Sequence, residues 1–426
     1  MRILIKNGRI IDPANKLDEI GDVCIIDGKI NSVLQSSADF SADKEIDASN
    51  KIVCPGLVDL SARFREPGLE YKATIASESL AAVSSGITAI CCPPDTKPII
   101  DTAAVAELIQ QRAETAGKLR IFPLGALTFG LEGERLSEMH ALKRAGCVGV
   151  SNGYADIANT DVLRHALEYA HTCDLTVFIQ PDDHFLSKNG VAHEGAISTR
   201  LGLPSIPETA ETIAVSRALL LIEQIGVRTH FCRLSSARSV KLIEEAKKAG
   251  MPVSADVSIC HLHLTDMDVD GYNADCHLRP PLREQRDKDA LCQALTIGSV
   301  DAICSDHQPH DEDAKASPFG ETAAGASTIE LLLPLTLDLV NKKKLSLSDA
   351  LSSLTNKPAG ILGIDAGTLN IDSSADIAIF DLERYFTVDK YKLISAGKNT
   401  PFIGWELNGL VTHVLFNGMF VYEHTS

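Results

Sequence analysis

No apolar run in this 426-residue sequence reaches the ~18 residues that a membrane span needs. The richest stretch, Ile329 to Val340, is interrupted by Glu330, Pro334 and Asp338. Basic runs are equally scarce. The longest is Lys342-Lys343-Lys344, and 40 Lys and Arg against 57 Asp and Glu leave a formal charge of −17. Such a field repels nucleic acid and anionic lipid, so neither a nucleic-acid nor a membrane partner is expected. The opening Met1-Arg2-Ile3-Leu4-Ile5-Lys6 has no apolar h-region and no cleavage site, which argues against secretion. No C-x-x-C is present, and the cysteines, 11 in number and therefore odd, often sit in strand-like apolar runs such as Cys91-Cys92 and Cys304. They read as reduced core thiols of a cytoplasmic protein.

What is present is core material. Hydrophobic residues make up 45% of the chain, and a chain of this length buries roughly three quarters of its unfolded surface. Disorder is thereby excluded. The first 54 residues are strand-like and punctuated by turns. Asp22 to Ile26 runs through Asp27-Gly28 into Lys29 to Leu34, and Val411 to Phe416 runs through Asn417-Gly418 into Met419 to Tyr422. Both are hairpin signals. Two β-rich ends, 1–54 and 361–426, predict one small β-sandwich domain built from both termini.

Residues 55–360 alternate short apolar strands with helix-patterned segments. The strands expected are Leu57 to Leu60, Thr88 to Cys92, Ile121 to Leu127, Val148 to Ser151, Thr176 to Ile179, Thr229 to Leu234, Val253 to Val257 and Ala302 to Ser305. Eight alternations predict an α/β fold of the (β/α)8 TIM-barrel type, with chemistry at the C-terminal strand ends. An open doubly wound sheet is the alternative. No Gly-x-Gly-x-x-Gly follows the first strand, which removes its dinucleotide-binding form.

Six segments at or near those strand ends carry a resemblance. They are Pro55 to Gly68, Pro94-Asp95-Thr96-Lys97-Pro98, Gly190 to Gly195, Leu234-Ser235-Ser236, Pro280-Pro281-Leu282-Arg283 and Ser305-Asp306-His307-Gln308-Pro309-His310. In combination the chain resembles the dihydroorotases, of the cyclic amidohydrolase superfamily, over essentially its whole length. The resemblance implies an amidohydrolase-type barrel and metal-assisted interconversion of dihydroorotate and carbamoyl aspartate. Two zinc ions would activate a hydroxide, and a strand-eight aspartate would bind metal and carry the proton.

The ligand positions implied by that resemblance are degenerate here. The family's His-x-His after strand one is Ser61-Ala62-Arg63. The strand-four bridging position falls at Asn152, the strand-five histidine at Gln180 and the strand-six ligand at Arg233. A hydroxyl is a poor zinc ligand at neutral pH, and a guanidinium has no lone pair to give. Only Asp306 is retained, at the catalytic position. Metal is therefore expected to be absent, with no other cofactor, and the expectation is a protein that is not an enzyme. The implied substrate clamp is kept in part as Arg65, His310 and Gly325. Its asparagine is replaced by Asp95, which would repel a carboxylate unless paired, and Arg279 stands where asparagine is common.

Asp306 buried without metal would cost several kcal/mol. Arg63 or Arg233 is expected to neutralise it through bidentate hydrogen bonds. Plain structural roles are expected for His230 and Cys232 as a buried hydrogen-bonded pair, for Cys91-Cys92 as core, and for His261-Leu262-His263. Within the family, the chain most resembles the non-catalytic dihydroorotase-like chain that accompanies aspartate carbamoyltransferase in some bacteria. That implies a structural subunit of pyrimidine biosynthesis, partnered by the aspartate carbamoyltransferase catalytic chain and self-associating. Two other functions stay open: an active dihydroorotase with altered metal ligands, and a regulatory binder of a pyrimidine intermediate through Arg65 and His310.

Overall fold

The computed structural model describes residues 1–35 and 40–424. Eight parallel strands follow one another in sequence order around a barrel that is nearly closed. They are Leu57–Asp59, Ile87–Cys92, Arg120–Ala126, Gly149–Ser151, Thr176–Ile179, Thr229–Phe231, Val253–Ser258 and Ala302–Cys304. Each coincides with an expected apolar run to within three residues at either end. The helices between them carry their own stop and start chemistry. Thr74 caps Ile75–Ser84 by accepting from Ser77 N at 3.1 Å, and Ser236 caps Ala237–Lys248 by accepting from Ser239 N at 3.2 Å. Each such cap stabilises by about 1 kcal/mol.

The seam between the first and last strands is stitched beyond their ends. Arg63 N donates to His307 O at 2.9 Å, His307 N to Ser61 O at 3.2 Å, and Ser305 N to the Asp59 carboxylate at 2.9 Å. Closure thus depends on the two segments that the sequence marks as the candidate site. It also sets Ser61, Arg63 and Asp306 side by side.

Both termini build a second layer. The strands Arg2–Asp12, Leu17–Ile26, Lys29–Leu34, Lys44–Asp47, Ile52–Pro55, Ile377–Thr387, Glu406–Phe416 and Met419–Glu423 join into one continuous mixed sheet rather than two separate ones. Its joint is Ile52–Pro55, which pairs parallel to Arg2–Asp12 and antiparallel to Ile377–Phe380. The two hairpins turn where expected. Asp27 and Gly28 lie at φ 48° and 82°, Asn417 and Gly418 at φ 49° and 69°. Two consecutive positive φ values are what a two-residue hairpin of type I′ demands.

All eleven cysteines are free and buried. No helix among the described residues is long and apolar enough to cross a membrane.

Candidate functional site

The site sits where strands one, six and eight end. Three of its residues, Arg65, Arg233 and Asp306, lie in the left-handed region at φ 62°, 51° and 47°. Each costs about 1–2 kcal/mol of backbone strain, which the surrounding barrel must over-determine. The barrel therefore keeps the sharp strand-end turns of a working site.

Arg63 is the hub. Its Nε donates to Asp95 at 2.8 Å, its Nη1 reaches Asp306 at only 3.4 Å, and the side chain is 5% exposed. Arg233 lies with its Nε 3.5 Å from the same Asp306 oxygen, while its Nη1 donates to Ser61 Oγ at 2.8 Å. Two guanidiniums thus converge on Asp306, but neither clamps it bidentately as expected. The reason is geometric: each arginine has a better-placed acceptor, Asp95 for one and Ser61 for the other. Gln308 Nε2 adds a donor 3.3 Å from both Asp306 oxygens.

The ionisation balance follows the distances. Burial pushes Asp306 above the usual carboxylate range, although Arg233 and Arg63 pull the other way. Burial also acts on Asp95, yet there the charge and hydrogen bond of Arg63 outweigh it and the net shift is downward. Asp95 is therefore a paired anion. The repulsion expected between it and an anionic ligand is offset by its own arginine.

Tyr154, which the sequence did not single out, occupies the centre. Its ring centroid lies 4.8, 5.1 and 5.7 Å from the guanidinium carbons of Arg63, Arg233 and Arg279. Its hydroxyl donates to Arg279 O at 2.7 Å and accepts from Gln308 Nε2 at 3.0 Å. Arg279 is itself held by Asp182 at 3.0 Å. Cation–π contacts of this kind are worth about 2 kcal/mol when desolvated.

The remaining expected positions scatter. Asn152 is committed to the loop after strand three: its Oδ1 accepts from Thr128 Oγ1 at 2.7 Å and its Nδ2 donates to Ala155 O at 2.9 Å. Gln180 leaves its buried Oε1 without a partner, beside a cavity of about 40 Å³ that it shares with Asn152 and Asp182. Arg65 donates to Pro309 O at 3.0 Å and lies 3.0 Å from His310 Nε2, and no carboxylate meets it. Burial, then Arg65 and Lys72, hold His310 down to about 3, so its imidazole is neutral. Gly325, at φ 120°, lies where a Cβ would stand 2.6 Å from Gln308 Cβ. Only glycine lets those two loops meet.

A binuclear zinc centre does not fit this donor set. Of the six ligand positions, two carry guanidinium cations aimed at the one carboxylate. The Ser61 hydroxyl is occupied by Arg233, and Asn152 is turned into its loop. Gln180 Oε1 alone has no partner, and one neutral amide oxygen cannot hold two dications. One other group of ligand-type atoms exists among the described residues. His230, Cys232 and Asp256 bring one each within 4.8 Å of one another, all buried. These are already engaged. His230 contacts Asp256 Oδ2 at 3.0 Å and Ser254 Oγ at 2.8 Å, and Asp256 Oδ1 accepts from Arg233 N. His230 and Cys232 are buried together as expected. They are also hydrogen-bonded to each other, since Cys232 Sγ donates to His230 O at 3.9 Å, while the ring of His230 turns to Asp256 on the neighbouring strand. His261 and His263 sit on the helix Ile259–His263 and diverge, to Pro281 O at 3.3 Å and Leu335 O at 3.0 Å.

One further buried pair ties the site to the rest of the barrel. His307 Nδ1 accepts from Thr328 N at 3.1 Å, so its proton resides on Nε2, 2.8 Å from Glu78. Burial is the largest influence on Glu78 and would raise it, but the hydrogen bond and electrostatic attraction of His307, with further hydrogen bonds from Ser395 and the Ala396 N–H, together outweigh it and hold the carboxyl at about 2 against its ordinary 4.5. A depressed carboxylate contributes stability that is present above the unfolded pKa and lost as pH falls through the folded one. The unfolding free energy from urea titrations should therefore drop between pH 4.5 and 2, by up to about 3 kcal/mol from this group. Glu78→Gln should flatten that limb. An unchanged acid limb in the variant would show that the loss arises elsewhere.

The barrel, the terminal sheet and the layout of strand-end positions define a cyclic amidohydrolase fold. An L-hydantoinase from Arthrobacter aurescens superposes with a TM-score of 0.87 at 26% identity, over 99% of this chain and 96% of that one. The sequence narrows the class. A family model described as dihydro-orotase-like matches residues 50–239. A dihydroorotase-like protein of Pseudomonas putida is 47% identical over 418 residues, 98% of each chain. A dihydroorotase-like protein of Pseudomonas aeruginosa is 46% identical over 423 residues, covering 99% of this chain and all of that one. A dihydroorotase of a Geobacter species is 39% identical over 423 residues, again 99% of this chain and all of that one. The chain belongs to the dihydroorotase-like family.

Proposed function

We propose that this chain is a non-catalytic family member that serves as a structural subunit for the aspartate carbamoyltransferase catalytic chain. The observation that carries the reading is the pair Arg63 and Arg233, within 3.4 and 3.5 Å of Asp306. Fixed positive charge stands where the family chemistry needs neutral imidazoles, so a hydroxide has no dication to activate it. The relatives at 46–47% identity are called dihydroorotase-like proteins, while those at 39–41% are called dihydroorotases, which fits the same division. An intact fold around a cationic centre leaves binding and assembly as its use.

The second reading is an active cyclic amidase with relocated metal ligands, and the group His230, Cys232 and Asp256 speaks for it. One experiment separates the two. Chelator-free protein should carry well below one zinc per chain and should not open dihydroorotate. Mixed at micromolar concentration with its own carbamoyltransferase chain, it should move that enzyme to a larger mass in light scattering. Stoichiometric zinc that survives dialysis, with ring-opening activity, would establish the second reading instead. Unchanged masses on mixing would remove the subunit role.

A further inference from the structure

A cavity of about 770 Å³ opens at the opposite end of the barrel, where the strands begin. Thr176, Thr229 and Val253, the first residues of strands five, six and seven, line one side of it, and the helix Asn356–Leu362 lines the other through Lys357 and Ile361. Its volume falls within the roughly 300–1,000 Å³ of small-molecule sites. Chemistry in such a barrel belongs to the other end, so the charges gathered here have no part in the site described above.

Those charges are unbalanced. Lys143, Arg228 and Lys357 line the cavity with two carboxylates, Asp174 and Asp301. Asp301 is already taken: Lys247, which lies outside the lining, donates to it at 2.6 Å and Ala255 N at 2.9 Å. Three cations therefore face the one remaining carboxylate, a local excess of two positive charges in a chain whose formal charge is −17. Screening confines each charge to about 8 Å at physiological salt, so this local excess decides what the cavity attracts. Asp174 also fixes two of the cations beside each other, with Arg228 Nη2 at 2.7 Å and Lys143 Nζ at 3.5 Å from its oxygens. Lys357 is partly buried and has no hydrogen-bond or ion-pair partner among the described residues. A cation held there without a partner contributes nothing to the fold, and it is free to meet an anion. Between the charges the wall is apolar, formed by Val148, Leu175, Met251 and Ile361.

We propose that this cavity binds a small organic phosphate of nucleotide size, its phosphate oxygens on Lys357, Lys143 and Arg228 and its flat ring on the apolar wall. A phosphate monoester carries nearly two negative charges at neutral pH and several strong acceptor oxygens. It matches the charge excess, and an arginine fork beside two lysine point charges is a phosphate-binding set. The site does not depend on the carbamoyltransferase reading.

Titration calorimetry tests it with adenosine diphosphate, free of magnesium, because that probe has both a flat ring and phosphates. One molecule should bind per chain, and Lys357→Glu and Arg228→Gln should each weaken it by roughly tenfold or more. Adenosine, which has the ring alone, and inorganic pyrophosphate, which has the charge alone, should both bind more weakly. A second measurement needs no variant. Pyridoxal phosphate fixed with borohydride should label Lys357 or Lys143, and adenosine diphosphate should protect the labelled residue. No binding at millimolar diphosphate overturns the proposal, as does affinity unchanged in the folded variants, which would place the probe elsewhere. Pyrophosphate bound as tightly as the nucleotide removes the ring subsite, and adenosine bound as tightly removes the charge argument. Labelling spread over the surface lysines without protection overturns the proposal even where a variant does not fold.

Discussion

Replacing Arg63 with methionine should destabilise the fold by about 3–5 kcal/mol, the range for removing one partner of a buried ion pair. The loss is large because one guanidinium serves two carboxylates, Asp95 at 2.8 Å and Asp306 at 3.4 Å. Both would be left charged at the barrel mouth. Arg233→Met should cost less, since its strong hydrogen bond is to the neutral Ser61. Adding Asp95→Asn and Asp306→Asn to Arg63→Met should recover most of the loss, because the charges that needed compensation are gone. Arg63→Lys should not, as one ammonium cannot present the planar fork that bridges two acceptors. Chemical denaturation of the four proteins measures the series. A change within about 0.5 kcal/mol for Arg63→Met, the range of surface substitutions, would mean that the site is solvated and its charges are idle.

The second large effect concerns metal. Ser61→His, Arg63→His, Asn152→Asp, Gln180→His and Arg233→His together, with Asp306 retained, rebuild the family ligand set, and Asp95→Asn removes the carboxylate that Arg63 now balances. Zinc content should rise from well below one per chain to at least one. Single reversions should take up none, since one imidazole beside Asp306 leaves a dication under-coordinated. Asn152→Asp is the costly member. It forfeits a donor to Ala155 O and another to Leu131 O, which an ionised aspartate cannot replace. Omitting it should improve folding and restrict uptake to a single ion. Stoichiometric zinc in Arg233→His alone, or none in the folded combination, would refute this account of why the centre is metal-free.

The barrel was legible in the sequence because each strand is a short apolar run buried on both faces, and each intervening helix shows its own period. The two hairpins were legible from Asp27-Gly28 and Asn417-Gly418, residues chosen for positive φ. The composition of the site was legible too, through Ser61, Arg63, Arg233 and Asp306. Its pairing was not. That Arg63 turns first to Asp95, or that Asn152 folds back on Thr128, depends on the direction in which a strand end releases its side chain, which no spacing encodes. Tyr154 carried no signal at all: a lone aromatic in a polar loop acquires meaning only once three arginines from other segments surround its ring. Asp256 escaped notice because it lies mid-strand, where a carboxylate looks like an interruption until His230 on the next strand explains it.

The joint of the terminal sheet has a consequence for synthesis. Ile52–Pro55 hydrogen-bonds to Ile377–Phe380, more than 300 residues downstream. At about 5–20 residues per second, a ribosome takes roughly 15–60 s to deliver the later strand after the earlier one. Throughout that interval the nascent chain carries Ile52, Val53 and Cys54 as an unsealed edge, with apolar side chains and free backbone donors. The barrel is translated entirely within the interval, so it can close before the sheet that flanks it. A chain arrested after the helix Asn356–Leu362 but before the strand Ile377–Thr387 would therefore hold a finished barrel with an adhesive margin. Such arrested chains are the species from which aggregation of this protein should begin.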